Sequence, residues 1–217
     1  MISGRLTRRL GFLGPLIITI GSLLTALAYT GKIGERYSFL NHFVSELGEV
    51  GISEWAVVFN TSLFVGGLCI TGFMLGTAKL LGNRFGVLFG IAGLVTGISG
   101  SLVGVLPMNN LDAHILVAMW FFRAALVSSA MFAIYVFASK QDSFARWTGI
   151  PAAGISMITF AFLSVLEPTG SGGDGLVLSA NRPSFWPSAL LEWGIFLSIM
   201  VWVLATSLSL TSREKRR

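Results

Sequence analysis

The sequence predicts an all-α fold of the polytopic membrane kind: a six-transmembrane-helix bundle with an extra amphipathic helix on its outer face. Three observations predict it. Hydrophobic residues fill 53% of the 217 positions and charged residues only 12%, and the mean hydropathy is +0.77, far above that of a water-soluble domain. The charges punctuate apolar runs long enough to cross a bilayer, which takes about 20 helical residues. The basic residues fall almost entirely on one side of the resulting six-span path.

The first span covers about 10–30. Gly11, Gly14 and Gly21 thin one side of it, and Pro15 falls in its first turns, where proline is best tolerated. Arg5, Arg8 and Arg9, the apolar stretch and Ala26-Leu27-Ala28 together resemble a signal peptide, but the stretch is long enough to span and is read as retained. The second span, about 55–80, carries no charge between Glu54 and Lys79. Gly82-Asn83-Arg84 turns the chain into the third, about 85–106.

There Gly86, Gly90, Gly93, Gly97, Gly100 and Gly104 repeat at the a and d positions of a heptad. Helices in lipid associate by close backbone approach, which small residues permit, and the 3.5-residue period predicts a left-handed crossing. This helix is therefore expected at the bundle centre. Pro107-Met108-Asn109-Asn110 turns into the fourth span, about 111–138. The fifth is about 147–166. A Gly-, Ser- and Asn-rich outer loop over 167–187, read as flexible, leads to the sixth span, about 188–210, with Ser188 as its cap. The whole of 1–217 reads as a single membrane domain.

Six spans put both termini on one side. Arg5, Arg8, Arg9, Lys79, Arg84, Lys140, Arg146 and the basic tail share it, against Lys32, Arg36 and Arg182 opposite. The positive-inside rule then predicts a cytoplasmic (plasma) membrane protein with both termini in the cytoplasm. The same rule accounts for the pI near 9.9, so nucleic-acid binding is excluded. Cys69, alone in an apolar run, cannot form an internal disulfide.

The segment 37–51, YSFLNHFVSELGEVG, is half polar between two apolar spans. As a helix it would carry Leu40, Phe43, Val44 and Leu47 on one face and His42, Ser45, Glu46 and Glu49 on another. Such a helix lies along a membrane surface or tucks into a bundle mouth. Acidic residues and both histidines cluster on the outer side: Glu35, Glu46, Glu49, Glu54, Asp112, Glu167, Asp174, Glu192, His42 and His114. Glu35, Glu54 and Asp174 are read as solvated loop residues. Arg123 lies about ten residues, roughly 15 Å, into its span; its charge is expected to face the bundle interior and pair with Glu192, Glu46 or Glu167.

His42 and Glu46, one helical turn apart, are the candidate catalytic acid–base pair. No cofactor is required by any motif. The ligand count just suffices for a zinc, through His42, Glu46 and His114 with Asp112 or Glu192, since a catalytic zinc needs about three protein ligands; no HExxH supports it. The loop sequence TGSGGDG lacks the Lys-Ser/Thr of a P-loop.

The order Leu13-Gly14-Pro15, Asn41-His42-Phe43-Val44-Ser45-Glu46-Leu47-Gly48, Gly104-Val105-Leu106-Pro107-Met108-Asn109, His114, Arg182 and Leu191-Glu192-Trp193 resembles a bacterial and archaeal multi-pass membrane family, DUF998. The resemblance implies six helices and a membrane home and carries no activity. Ceramidase-like intramembrane zinc hydrolases, with seven spans and three histidines, fit poorly.

The expected pocket joins Asn41, His42, Ser45, Glu46, Asn109, His114, Arg123, Glu167, Arg182 and Glu192. The leading expectation is an outward-facing site for a lipid headgroup, small amphiphile or membrane partner, in a binding or accessory protein. The alternative is an intramembrane hydrolase acting on a lipid or isoprenoid. Membrane lipids are the expected partners, with partner membrane subunits or a homo-oligomer as further ones. A transporter would call for internal two-fold repetition, and the sequence has none.

Overall fold

A computed structural model describes residues 3–139, 144–166 and 182–214. Six long helices, α1 (Gly4–Ala28), α2 (Ala56–Leu81), α3 (Arg84–Val103), α4 (Leu111–Ala138), α5 (Gly149–Leu166) and α6 (Pro187–Glu214), account for most of it. All six are long and apolar enough to cross a membrane. The helices pack in chain order and close into a ring through α1 and α6. The described residues contain no strand, only isolated bridges at Thr30–Arg36 and Val50–Ser53.

Local chemistry sets the ends. Ser3 Oγ accepts from the Leu6 amide and starts α1 six residues before the expected apolar run. Gly82, at φ +72°, takes the left-handed position that ends α2. Asn83 and Asn110 cap α3 and α4. Proline opens α6, so Ser188 sits inside the helix rather than capping it. The outer surface of the ring stays apolar, with Leu16, Leu27, Val57, Leu88, Ile134 and Phe160 exposed, as a hydrocarbon surrounding requires.

The glycine heptad does form a seam. A side chain added at Gly90, Gly93 or Gly97 would meet Ala78, Met74 or Thr71 of α2, and at Gly104 the Asn60 carbonyl. The expectation that α3 is central is corrected: it packs between α2 and α4, its ring neighbours, and its opposite face, Val87, Leu88, Ile91 and Leu94, is exposed. A heptad seam needs one close partner and says nothing of a second. An equivalent seam joins α1 to α2, where Gly14 lies against the Gly66 carbonyl and Gly21 against Ser62.

The amphipathic helix over 37–51 is absent. The segment is an extended, turning chain with one short 3-10 helix, η1 (Val44–Gly48). It fills the end of the ring away from the termini. Both expected faces are buried: Phe43, Val44 and Leu47 on one, His42, Ser45 and Glu46 on the other, while Leu40 is 51% exposed. Of the two placements open to it, the mouth of the bundle is the one taken. Full burial removes the solvent face an amphipathic helix needs, and long-range hydrogen bonds replace helical ones.

Candidate functional site

The mouth is built from a turn and a plug. Residues 30–36 fold back on themselves. Gly34, at φ +81°, permits the tight reversal, with the Gly34 amide donating to the Gly31 carbonyl at 3.0 Å and the Gly31 amide to the Glu35 carbonyl at 2.9 Å. The Glu35 carboxylate packs where a Gly31 side chain would otherwise stand, and its Oε2 accepts from the Ile33 amide at 3.0 Å. Lys32, from the same turn, reaches Glu49 of the plug at 2.8 Å.

The plug, 37–53, is fastened from every side. Tyr37 Oη donates to the Phe43 carbonyl at 2.9 Å and accepts from Trp193 Nε1 of α6 at 2.9 Å. Asn60 Nδ2 of α2 donates to the Gly48 carbonyl at 2.9 Å. Asn109 binds both backbone groups of Val50 at 2.8 Å. The Trp186 amide donates to the Leu40 carbonyl at 2.8 Å.

At the plug's centre Glu46, wholly buried, takes a two-pronged ion pair from Arg182 at 2.9 and 2.8 Å. Its Oε1 also accepts from the Phe43 amide at 2.8 Å. Burial pushes the Glu46 carboxyl up from its ordinary range, opposed by the Arg182 guanidinium. Two arginine N–H groups on two oxygens nonetheless require the ionised carboxylate. Arg182 Nη1 reaches the Asn41 carbonyl as well, at 2.6 Å.

His42 is 2% exposed. Its ring lies between Tyr29 and Tyr37, with centroids 5.4 and 5.0 Å away. Asn41 Nδ2 donates to the Pro183 carbonyl at 2.8 Å, which turns Asn41 Oδ1 toward His42 Nδ1, also at 2.8 Å. That contact is a hydrogen bond only with the proton on Nδ1. The Ser38 amide, 3.2 Å from the same nitrogen, could donate to it only in the other tautomer, so the two contacts exclude each other and the shorter one is taken. Burial, with the Arg182 charge nearby, lowers the imidazole to about 4, so the ring is neutral near pH 7. Nε2 is left with its lone pair and, among the described residues, no hydrogen-bond partner. Glu35 Oε1 stands 4.0 Å from it.

His42 lines a cavity of about 280 Å³ together with Tyr29, Lys32, Ile33, Glu35, Arg36, Ser38, Asn41, Glu49, Ile52 and Arg182. Glu49, on the same wall, carries a second buried atom, Oε2, without a partner among the described residues. Burial raises the Tyr29 hydroxyl above its ordinary value, and the charges of Glu46 and Glu35 add to it.

A second cavity, about 90 Å³ and almost wholly apolar, lies deeper, between α1, α2, α3, α4 and α6. Ser45, His114 and Glu192 are on its wall. Glu192 Oε2 accepts from the Val44 amide at 2.6 Å, and the Ser45 amide and hydroxyl also bond to the carboxyl. His114 Nδ1 lies 2.8 Å from the Leu106 carbonyl, to which it donates.

The residues expected in one pocket therefore divide. Asn41, His42 and Arg182 line the mouth cavity with Glu46 directly behind; Ser45, His114 and Glu192 line the inner one. Asn109 holds the plug from outside both. Arg123, expected to face the interior, lies on the exposed stripe of α4 with Leu116, Trp120 and Val127; the buried stripe runs through His114, Val117, Phe122 and Ala125. The helix turn that brings His114 inward carries Arg123 out. Glu167 and Asp174 lie outside the described residues.

The proposed zinc ligands His42, Glu46, His114 and Glu192 are split in the same way. Among the described residues no group of three or more His, Cys, Asp or Glu side chains is arranged to hold a metal ion. Glu46 is committed to Arg182, and Glu192 to the amides of the plug. Tyr29, Lys32, Glu35 and Arg36 were not expected in the site. The one signal for them was the Gly-x-x-Gly spacing of 31–34, which fixes a turn beside the plug.

Fold and site together define a multi-pass helical membrane protein whose ring is stoppered at one end by a polar loop. The chain belongs to the family described as a protein of unknown function, DUF998, whose model matches residues 8–209. Comparison with curated proteins and with solved structures gave no match.

Proposed function

We propose that the protein is a membrane-embedded binding protein whose mouth cavity holds a small polar group, such as a lipid headgroup, at the membrane surface. One observation carries this reading: His42 and Glu49 line the same cavity, and His42 Nε2 and Glu49 Oε2 are buried without a hydrogen-bond partner among the described residues. Leaving a buried polar atom unpaired costs about 1–3 kcal/mol, a cost that a ligand removes on binding. The bias of Arg5, Arg8, Arg9, Lys79, Arg84 and Arg146 toward the terminal end supports cytoplasmic termini and an outward-facing mouth. Native mass spectrometry of the protein extracted from membranes tests the binding reading. A bound species lost on His42→Gln supports it; wild-type protein free of any retained small molecule or lipid, across mild detergents, sinks it. A C-terminal tag reachable from outside intact cells would reverse the orientation.

The hydrolase reading rests on a separate observation. A neutral imidazole on the wall of a cavity, with Nδ1–H held by Asn41 and the Nε2 lone pair unused, is arranged as a general base that activates water. Glu46 cannot share that work while it is held by Arg182. Release of labelled headgroup from phospholipid by purified protein, abolished by His42→Gln, would favour the enzyme; unchanged lipid after prolonged incubation favours binding alone.

A further inference from the structure

The groups on the cavity wall specify what kind of headgroup fits. Two of its cations are already matched: Lys32 is paired with Glu49 at 2.8 Å and Arg182 with Glu46 at 2.8 Å. The acceptors are not saturated. Glu49 uses Oε1 for Lys32 and leaves Oε2. Glu35 Oε2 is held by the Ile33 amide, which directs Oε1 toward His42. His42 Nε2 and Glu35 Oε1, 4.0 Å apart, are too distant for a mutual hydrogen bond. Two acceptors about 2.9 Å from one tetrahedral nitrogen stand roughly 4–5 Å apart, so one N–H-bearing group between them satisfies both. Arg36 adds an exposed guanidinium to the same wall, suited to a phosphate.

Resting on the headgroup-binding reading, we infer that the mouth cavity takes a primary ammonium joined to a phosphate: the ammonium between His42 Nε2, Glu35 and Glu49, the phosphate against Arg36. The shared chemistry is that of an aminoalkyl phosphate, whether carried by a phospholipid or free in solution. The geometry selects N–H donors, so full methylation of the nitrogen removes the match. A hydroxylated headgroup can satisfy His42 but does not neutralise the Glu35 carboxylate, Glu49 being paired already with Lys32.

The test uses the full-length chain in nanodiscs of phosphatidylcholine containing phosphatidylethanolamine or phosphatidylglycerol as guest, with lipid retention read by native mass spectrometry. Phosphatidylethanolamine is expected to be retained at least roughly tenfold over phosphatidylcholine and phosphatidylglycerol, and Glu35→Gln and Glu49→Gln, checked for folding by thermal unfolding, to erase that preference. Saturable binding of soluble phosphoethanolamine without lipid preference places the same chemistry in a free ligand and supports the inference. Equal retention of phosphatidylcholine or of phosphatidylglycerol overturns the ammonium assignment while leaving a headgroup site in place. No carboxylate-dependent retention of any guest, and no soluble binding, overturns both.

Discussion

Where α1 meets α2, Gly14 lies against the Gly66 carbonyl and Gly21 against Ser62: backbone touches backbone or a small side chain. At the mouth, the plug is held by Arg182 on Glu46, Asn60 on Gly48, Asn109 on Val50, Trp193 on Tyr37 and the plug amides on Glu192. The first region is fastened by what is missing from its side chains, the second by polar groups far away in the chain. In lipid, helices gain little from burying apolar surface against each other, so shape decides. A polar loop inside the same ring must find partners for its backbone donors and acceptors, so chemistry decides.

The comparison breaks most sharply at the ion pair. Removing one partner, by Arg182→Leu or Glu46→Leu, strands a buried charge and is expected to cost about 3–5 kcal/mol; removing both is expected to restore much of the loss. Thermal unfolding of the two single variants and the double variant in one detergent measures this. Losses that simply add would show that the pair is not the fastening described here.

The seam is probed next. Gly104→Ala sets a methyl against the Asn60 carbonyl and is expected to cost about 1–3 kcal/mol by overpacking. Gly154→Ala, where nothing stands within 4 Å, is expected to be neutral or to stabilise by about 0.5–1 kcal/mol. Equal effects in the same unfolding assay would remove the distinction between seam and surface.

Acid is expected to act on the mouth through His42. His42 is lowered by burial from its ordinary value near 6.5 to about 4. In that window the unfolded chain takes up a proton that the folded one refuses. Stability is therefore full above pH 6.5 and falls progressively as the pH drops toward 4. His42→Gln is expected to flatten this part of the profile. An unchanged slope in the variant would assign the acid sensitivity elsewhere.

Asn109→Ala is the mildest disturbance, removing two exposed hydrogen bonds to Val50. A loss of about 1 kcal/mol is expected, with faster amide exchange around Val50 and none in α3.

These contrasts also separate what the sequence made legible from what it did not. The six spans were readable because each is a continuous apolar run, and the helix starts at Ala56, Arg84 and Leu111 fall within a residue of the expected ones. The glycine period of α3 located a seam but not its partner, because a heptad fixes one face of one helix. The segment 37–51 misled through its periodicity. Spacing of i, i+3, i+4 implies a helix only while the backbone bonds to itself, and here Glu46 and Glu192 take the Phe43, Val44 and Ser45 amides instead. Arg123 misled because its depth was readable and its azimuth was not. His42, Glu46 and Arg182 were identifiable as polar residues needing partners; that Glu46 and Arg182 would choose each other depends on a separation in sequence that no periodicity spans.

One further consequence follows from Glu192 and Trp193. They sit in the second turn of the last helix, just past Trp186 and Arg182, so the closing strut of the barrel stave doubles as the stopper's tether. Tilting that strut would drag the stopper with it, and a chain cut after α5 would lose the stopper's tether along with its final crossing. Indole emission from Trp193, quenched or shifted on separation from Tyr37, would report such a movement directly.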